Sequence, residues 1–294
     1  MRAMSVFGAV IVLALWLTPA LAAKESAKGP KIFVSPPEEA FPPSRPETPP
    51  PRARAVSPSA LFAYELAAAE KGDKLSLVNV GILYEQGVGV ARDYTRALGW
   101  YEKAVAAGVA DGYLRAGACY EVGMGTATDL GKAASYYAVA AGMGMPQARW
   151  LLAEMYFQGR GVPRDVSKAG ELLEQAASAG HGAAANALAV LLLNGGLGKP
   201  KDAARAAEWF NKSAEAGYPE GAKNYAVVLR NGLAGKKDPA AALHWYLVAR
   251  GRGLRAPDLD AIIGELKKEV GPEKARRAEE SAARRLKEFG KPEQ

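Results

Sequence analysis

The stretch LYEQGVGVARDYTRALGWYEKAVAAG, residues 83–108, returns four more times along the chain. The copies keep their glycine, aspartate, alanine and bulky positions in register, at spacings of 36, 36, 36 and 37 residues. The equivalent anchor positions are Tyr84, Tyr120, Tyr156, Leu192 and Leu229. A fixed period of this length is typical of a solenoid, in which each unit buries its apolar face only against its neighbours.

Each unit is predicted to be two helices joined by a turn. Leu77, Val80, Leu83 and Tyr84 fall three and four residues apart, which is the spacing of a helix face. Gly87 follows where the end of a helix needs a residue with positive φ. Asp93 stands where an N-cap would accept hydrogen bonds from the start of the next helix. The aspartates at this position are Asp93, Asp129, Asp165, Asp202 and Asp238.

The repeated pattern G-x-G-V-x-x-D-x-x-[KR]-A-x-x-[WY]-[YF]-x-x-A-x-x-x-G resembles the Sel-1-like repeat, a relative of the tetratricopeptide repeat. Residues 87–108 match it closely, and residues 159–180 match nearly as well. The resemblance covers roughly residues 60–253. It implies an all-α fold, a right-handed α-solenoid of helix-turn-helix repeats, and a role in protein–protein interaction.

The sequence predicts the following organisation. We expect a signal peptide at 1–22, a Pro-rich linker at 23–58, an N-terminal capping helix at 59–72, repeats at 73–253 and C-terminal capping helices at 254–294. The five repeats are predicted at 73–108, 109–144, 145–180, 181–217 and 218–253.

The N-terminus has the features of a secretory signal. Arg2 precedes the apolar run Val6–Leu17, which is too short to span a bilayer comfortably, and Ala20-Leu21-Ala22 is typical of a cleavage site. We therefore expect an exported protein, periplasmic or secreted, with no integral membrane segment after cleavage; an uncleaved anchor is the alternative. The Pro-rich linker is read as a spacer, or else as a ligand for a proline-binding domain.

Charge and cysteine content argue against nucleic-acid binding and against a disulfide-linked repeat. The net charge of +7 is spread along the chain, so no nucleic-acid partner is predicted. The single Cys119 excludes an intramolecular disulfide and occupies an apolar slot of the repeat, so we expect it to be buried. Penicillin-binding or lactamase activity is associated with secreted Sel-1-like proteins that carry a cysteine pair in each repeat, and this chain lacks that framework.

No catalytic set, cofactor site or metal site is predicted. The two histidines, His181 and His244, lie 63 residues apart in different units. Helix-to-helix turns account for the glycine-rich segments, and capping accounts for the repeated aspartates.

Polar residues of the first helices are the candidate partner-binding face. By resemblance to tetratricopeptide folds, the first helix of each unit lines the inner, concave wall. Ordinary solvated positions are the alternative for any one of these residues. The candidates are Asn79, Arg115, Arg149, Asn186 and Asn224.

The leading hypothesis is a protein–protein interaction scaffold of the cell envelope, not an enzyme, which binds a protein or peptide on the concave face. One alternative is a hydrolase acting on cell-wall material or a β-lactam. Another is a structural adaptor for peptidoglycan or exopolysaccharide machinery. A deep pocket with a perturbed acid or base would favour the enzyme.

Overall fold

The computed structural model describes residues 57–196 and 200–290, and within them the chain forms thirteen helices and no strands. The first helices of the five units are α2 (Lys74–Gln86), α4 (Ala110–Val122), α6 (Pro146–Gln158), α8 (Gly182–Asn194) and α10 (Pro219–Asn231). The second helices are α3 (Tyr94–Ala106), α5 (Leu130–Gly142), α7 (Val166–Ser178), α9 (Ala203–Glu215) and α11 (Pro239–Gly251). The flanking helices are α1 (Pro58–Glu70), α12 (Leu259–Val270) and α13 (Pro272–Phe289).

Successive helices pack against one another in chain order, which confirms the predicted all-α solenoid. The predicted signal peptide and most of the Pro-rich linker lie outside the described residues. None of the helices in the two described ranges is long and apolar enough to cross a membrane.

Local sequence signals set the helix ends. The predicted N-caps are confirmed: the aspartate before each second helix accepts a hydrogen bond from the backbone N–H three residues on, as Asp129 does from Lys132 at 2.9 Å. Each first helix ends at a glycine in the left-handed conformation, for example Gly87 with φ 71°. These caps satisfy backbone groups that the helices leave without an internal partner.

The second glycine of the turn brings consecutive units into close contact. A Cβ on Gly125 would lie 2.3 Å from the carbonyl oxygen of Tyr94, at the start of α3 in the preceding unit. A Cβ on Gly89 would lie 2.0 Å from the carbonyl oxygen of Pro58, at the start of α1. The helix α1 therefore meets the first unit in the way that α3 meets the second.

Small residues let the two helices of a unit approach closely. The repeat alanines Ala97, Ala133, Ala169, Ala206 and Ala242 are all at most 1% exposed. In the first unit Tyr101 is fully buried, and its ring fills the space that a side chain at Gly81 would occupy, 2.3 Å from the ideal Cβ. Close packing of this kind makes the interior sensitive to single methyl groups.

The basic residue of the pattern stacks on the anchor tyrosine of its own unit. Lys132 Nζ lies 4.0 Å from the centre of the Tyr120 ring, and Lys168 lies 4.4 Å from Tyr156. Each contact places the lysine's positive charge over the electron-rich face of the ring. The fifth unit has Leu229 and Ala241 at these two positions, so it lacks both partners.

The helices α12 and α13 pack on α11 at the C-terminal end. Leu286 of α13 contacts Gly251, and Arg285 pairs with Glu215 of α9 at 2.7 Å. The last helix therefore reaches back from the fifth unit to the fourth.

Candidate functional site

One face of each first helix is only partly covered by its neighbours, and together these faces form the first-helix stripe. Its four positions in each helix follow the spacing i, i+4, i+7 and i+11 of a single helical face. Each position, taken across the five units, forms one row, so the stripe has four rows. The first and fourth rows, called the outer rows, are half-buried or exposed in every unit. They consist of Leu75 and Gln86, Asp111 and Val122, Gln147 and Gln158, Ala183 and Asn194, Glu220 and Asn231. The second and third rows, called the middle rows, are buried or half-buried. The second-row and third-row residues of each unit are, in order, Asn79 and Ile82, Arg115 and Ala118, Leu151 and Glu154, Ala187 and Val190, Asn224 and Val227.

The five candidate residues do not form one row. Asn79, Arg115 and Asn224 share the second row of the stripe, because each stands five residues before its anchor position. Arg149 stands seven residues before Tyr156, and Asn186 stands six before its anchor, so both lie off the stripe.

Several of these side chains are buried or half-buried and form hydrogen bonds with other residues of the chain. Arg115 is 9% exposed, and its Nε donates to Asp111 at 3.0 Å. Asn186 is 7% exposed and accepts a hydrogen bond from Asn224 at 2.8 Å. Asn79 donates to Glu65 of α1 at 3.1 Å.

Arg149 lies in a different environment. It lines a shallow, open depression with residues of α7, on the side of the third unit that faces its second helix. The other lining residues are Glu174, Gln175, Ser178 and Ala179. This shallow surface lacks the enclosure of a small-molecule site.

A polar cluster lies in the middle of the first-helix stripe, where the second and third units meet. Glu121 of α4 accepts a hydrogen bond from the Tyr137 hydroxyl at 2.8 Å and pairs with Arg160 at 3.1 Å. Glu154 of α6 interacts electrostatically with both Glu121 and Arg160. We call Glu121, Tyr137, Glu154 and Arg160 the central cluster.

Glu154 is the unusual member of the central cluster. It is 9% exposed, and its Oε1 is buried without a hydrogen-bond partner. Burial, reinforced by repulsion from Glu121, raises the pKa of Glu154 to about 8, and Arg160 opposes this shift only in part. The Glu154 carboxyl is therefore mostly protonated at neutral pH.

A related cluster lies one unit upstream. The Tyr101 hydroxyl donates to Glu85, which occupies the position of Glu121 in the first unit. Arg115 lies 5.9 Å from the centre of the Tyr101 ring and interacts electrostatically with Glu85. Burial raises the pKa of the Tyr101 phenol well above its ordinary value, so the hydroxyl remains a donor.

The environments of Cys119 and His181 indicate structural roles for both side chains. Cys119 is 3% exposed, as expected, and burial raises the pKa of its thiol to about 12. His181 caps α8, since its Nδ1 accepts from Ala184 N at 3.2 Å, and it stacks on Trp150. No group of three or more potential metal ligands occurs within the two described ranges.

The sequence reasoning missed the central cluster, although a signal for it was present. Glu154 occupies the third row of the stripe, where the other units have only aliphatic residues. Those residues are Ile82, Ala118, Val190 and Val227. Aligning the units by the anchor position would have singled out this glutamate.

Comparison with known proteins supports the family that the repeat pattern indicates. The Sel1 repeat profile matches residues 75–109, 110–145, 146–181, 182–218 and 219–253. A crystal structure of a protective antigen present in uropathogenic Escherichia coli strains, which displays an SLR fold, is 28% identical with a TM-score of 0.61. The match covers 80% of this chain and 50% of that one, so the chain spans half the length of that relative.

A Sel1 repeat protein from Oxalobacter formigenes is 22% identical, with a TM-score of 0.63 over 76% of this chain and 99% of that chain. No curated protein matches the chain. Sel1 repeat proteins are generally protein-interaction scaffolds, and the fold is generally non-enzymatic. Because five consecutive repeats match over more than half of its length, the chain belongs to the Sel1 repeat family.

Proposed function

We propose that this protein is an exported interaction scaffold of the cell envelope, which binds a protein or peptide along the first-helix stripe. The observation that supports this proposal is the variation of side chains along the stripe. Its rows change from unit to unit between aliphatic, amide and charged side chains, while the caps, turn glycines and buried alanines stay the same. A repeated framework with one variable surface suits the recognition of an extended partner.

Export rests on the N-terminal sequence. The basic start, the short apolar run and the cleavage motif together support a cleaved signal. N-terminal sequencing of the mature protein is expected to begin near Ala23. An intact Met1 on soluble cytoplasmic protein would contradict export without affecting the binding proposal.

Site-specific photocrosslinking tests the binding surface. A photoreactive amino acid is placed at Gln86, Gln158 or Asn194, which are exposed outer-row positions of the stripe. The matched controls are the exposed second-helix positions Val139 and Glu171. In cells that produce the full chain, we expect one discrete crosslinked species from the stripe and none from the controls.

The outcome that contradicts the proposal is equally specific. Crosslinks of the same yield and size from Val139 and Glu171 would show that the stripe is not the binding surface. Crosslinks from the controls alone would place binding on the second helices instead.

A further inference from the structure

Glu154 carries a carboxyl group at a position where the other units of the repeat have none. In the other four units the third row of the stripe is aliphatic, and the helix pair packs in the same way. A buried polar atom left without a hydrogen bond costs about 1 to 3 kcal/mol. Such a cost at a single unit of a regular repeat points to a role outside folding.

The environment of Glu154 defines what would satisfy it. Glu121 already accepts from Tyr137 and Arg160 through its two carboxylate oxygens, whereas Oε1 of Glu154 accepts from no group. A ligand that binds the ionised carboxylate of Glu154 must therefore donate a hydrogen bond. It must also be cationic, because only a positive charge can offset the burial and the nearby Glu121 charge that keep Glu154 protonated in the free protein.

The charges along this part of the stripe favour the same ligand. Four carboxyl groups, Glu85, Asp111, Glu121 and Glu154, lie in the two neighbouring clusters. The guanidinium group of Arg115 interacts electrostatically with Glu85 and Asp111, and that of Arg160 interacts with Glu154. This excess of acidic groups contrasts with the net charge of +7 for the whole chain, so the surface is locally complementary to a basic partner.

We propose that Glu154, with Glu121 beside it, receives a lysine or arginine side chain of the protein that the first-helix stripe binds. This inference rests on the proposed function and specifies the chemistry of its partner. The partner's ammonium or guanidinium group donates to the ionised Glu154 carboxylate and lies next to Glu121. Arg160 keeps its ion pair with Glu121.

Binding of a cation at this point is coupled to proton release. Glu121 of α4 and Arg160, in the turn after α6, are the charged groups that act on Glu154. Because Glu154 is mostly protonated at pH 7 in the free protein, an incoming cation displaces the proton as the ion pair forms. Affinity for a basic side chain is therefore expected to rise between about pH 6 and pH 9, while lysine and arginine remain charged.

Peptide pools test this inference. The probes are N-acetylated, C-amidated nonapeptides with randomised flanks and a central lysine, arginine, norleucine or glutamine. Retention on the immobilised protein is measured by mass spectrometry at pH 6, 7.5 and 9. We expect the lysine and arginine pools to be retained about tenfold or more over the other two at pH 7.5, and more strongly at pH 9.

Three variants make the test specific. Glu154→Gln removes the charge and keeps the shape, and Glu154→Val installs the aliphatic residue type of the other units. Both are expected to lose the preference for basic pools and its pH dependence while keeping the helical circular-dichroism signal. Glu171→Gln makes the same change of charge at an exposed second-helix position and is expected to retain the preference.

Equal retention of all four pools by the unmodified protein would overturn the inference, as would a preference that survives in Glu154→Gln. Retention of no pool would also overturn it. If the stripe still yields its specific crosslinks in these cases, the scaffold function stands and only the basic-residue site fails. If the crosslinks come equally from Val139 and Glu171, the proposed function itself fails.

Discussion

At the scale of single residues, Glu154 gives the protein an unusual dependence of stability on pH. Its pKa rises from an ordinary value of 4.5 to about 8 in the folded chain. The unfolded chain therefore releases this proton first, and the stability present below about pH 4.5 is lost as pH rises toward 8. Glu154→Gln is expected to remove a loss of a few kcal/mol between pH 5 and pH 9.

Urea unfolding at pH 5, 7 and 9 measures this effect. The unmodified protein should lose stability relative to Glu154→Gln as the pH rises, with the difference largest at pH 9. A difference that stays constant with pH would mean that the Glu154 carboxyl is already ionised in the folded protein at pH 5.

His181 has the opposite effect on the pH dependence of stability, because it destabilises the folded protein at low pH. Burial lowers the pKa of His181 from 6.5 to about 4. The ring accepts a hydrogen bond through Nδ1 at the start of α8 and stacks on Trp150. The folded state therefore takes up this proton less readily than the unfolded state, and stability is lost as pH falls from about 6.5 to 4. The loss from this residue is roughly 3 kcal/mol at most.

His181→Asn tests this expectation, because asparagine is a good N-cap that does not titrate. Chemical unfolding at pH 7 and pH 4 should show a smaller acid loss in His181→Asn than in the unmodified protein. Burial also lowers the pKa of His244 in α11, so His244→Asn is expected to reduce the acid loss as well. Identical acid losses in His181→Asn and the unmodified protein would show that His181 is not buried in its neutral form.

The residues that could be predicted from sequence are those whose partners are local or repeated. Asp129 caps a backbone group three residues away, and the burial of Cys119 follows from its slot in the repeat. The Asn186–Asn224 hydrogen bond joins residues 38 apart, and its geometry depends on how two first helices lie side by side. The pKa of Glu154 likewise depends on tertiary burial, which the local sequence does not encode.

At the scale of helices and turns, close contact between neighbouring helices depends on the second glycine of the turn in the first three units, Gly89, Gly125 and Gly161. Gly125 has φ 72°, and a Cβ there would lie 2.3 Å from Tyr94 O and 2.5 Å from Tyr94 C, which are rigid backbone atoms. Sequence reasoning explained this glycine by the tight turn alone. The structure adds the backbone of the preceding unit as a second reason.

Gly125→Ala is expected to destabilise the protein by about 1 to 3 kcal/mol from backbone strain, with a further loss from the clash. Gly99→Ala is the matched control, because Gly99 is exposed in α3 and nothing lies within 4 Å of its ideal Cβ. That change should stabilise the protein by about 0.5 to 1 kcal/mol through helix propensity. Thermal unfolding of both variants should shift in opposite directions, and a neutral Gly125→Ala would contradict the close contact.

At the scale of the whole molecule, α13 closes the end of the solenoid. Its apolar face buries Ala275, Ala278 and Ala282, and Leu286 contacts Gly251 of α11. Because each unit of a solenoid contacts mainly its neighbours, stability is approximately a sum of unit and interface contributions. Damage at one end is therefore expected to stay near that end.

Truncation after Gly271, which removes α13, tests this locality. Hydrogen exchange should become faster in α11 and α12, which pack directly against α13, while α4 to α7 keep their protection because their own interfaces are intact. Arg285→Ala serves as the control. It removes an exposed ion pair with Glu215, worth about 0 to 1 kcal/mol, and leaves the apolar face of α13 in place. Faster exchange spread evenly from α2 to α11 in the truncated protein would instead show that the five units unfold together, and that α13 stabilises the whole solenoid and not only its last units.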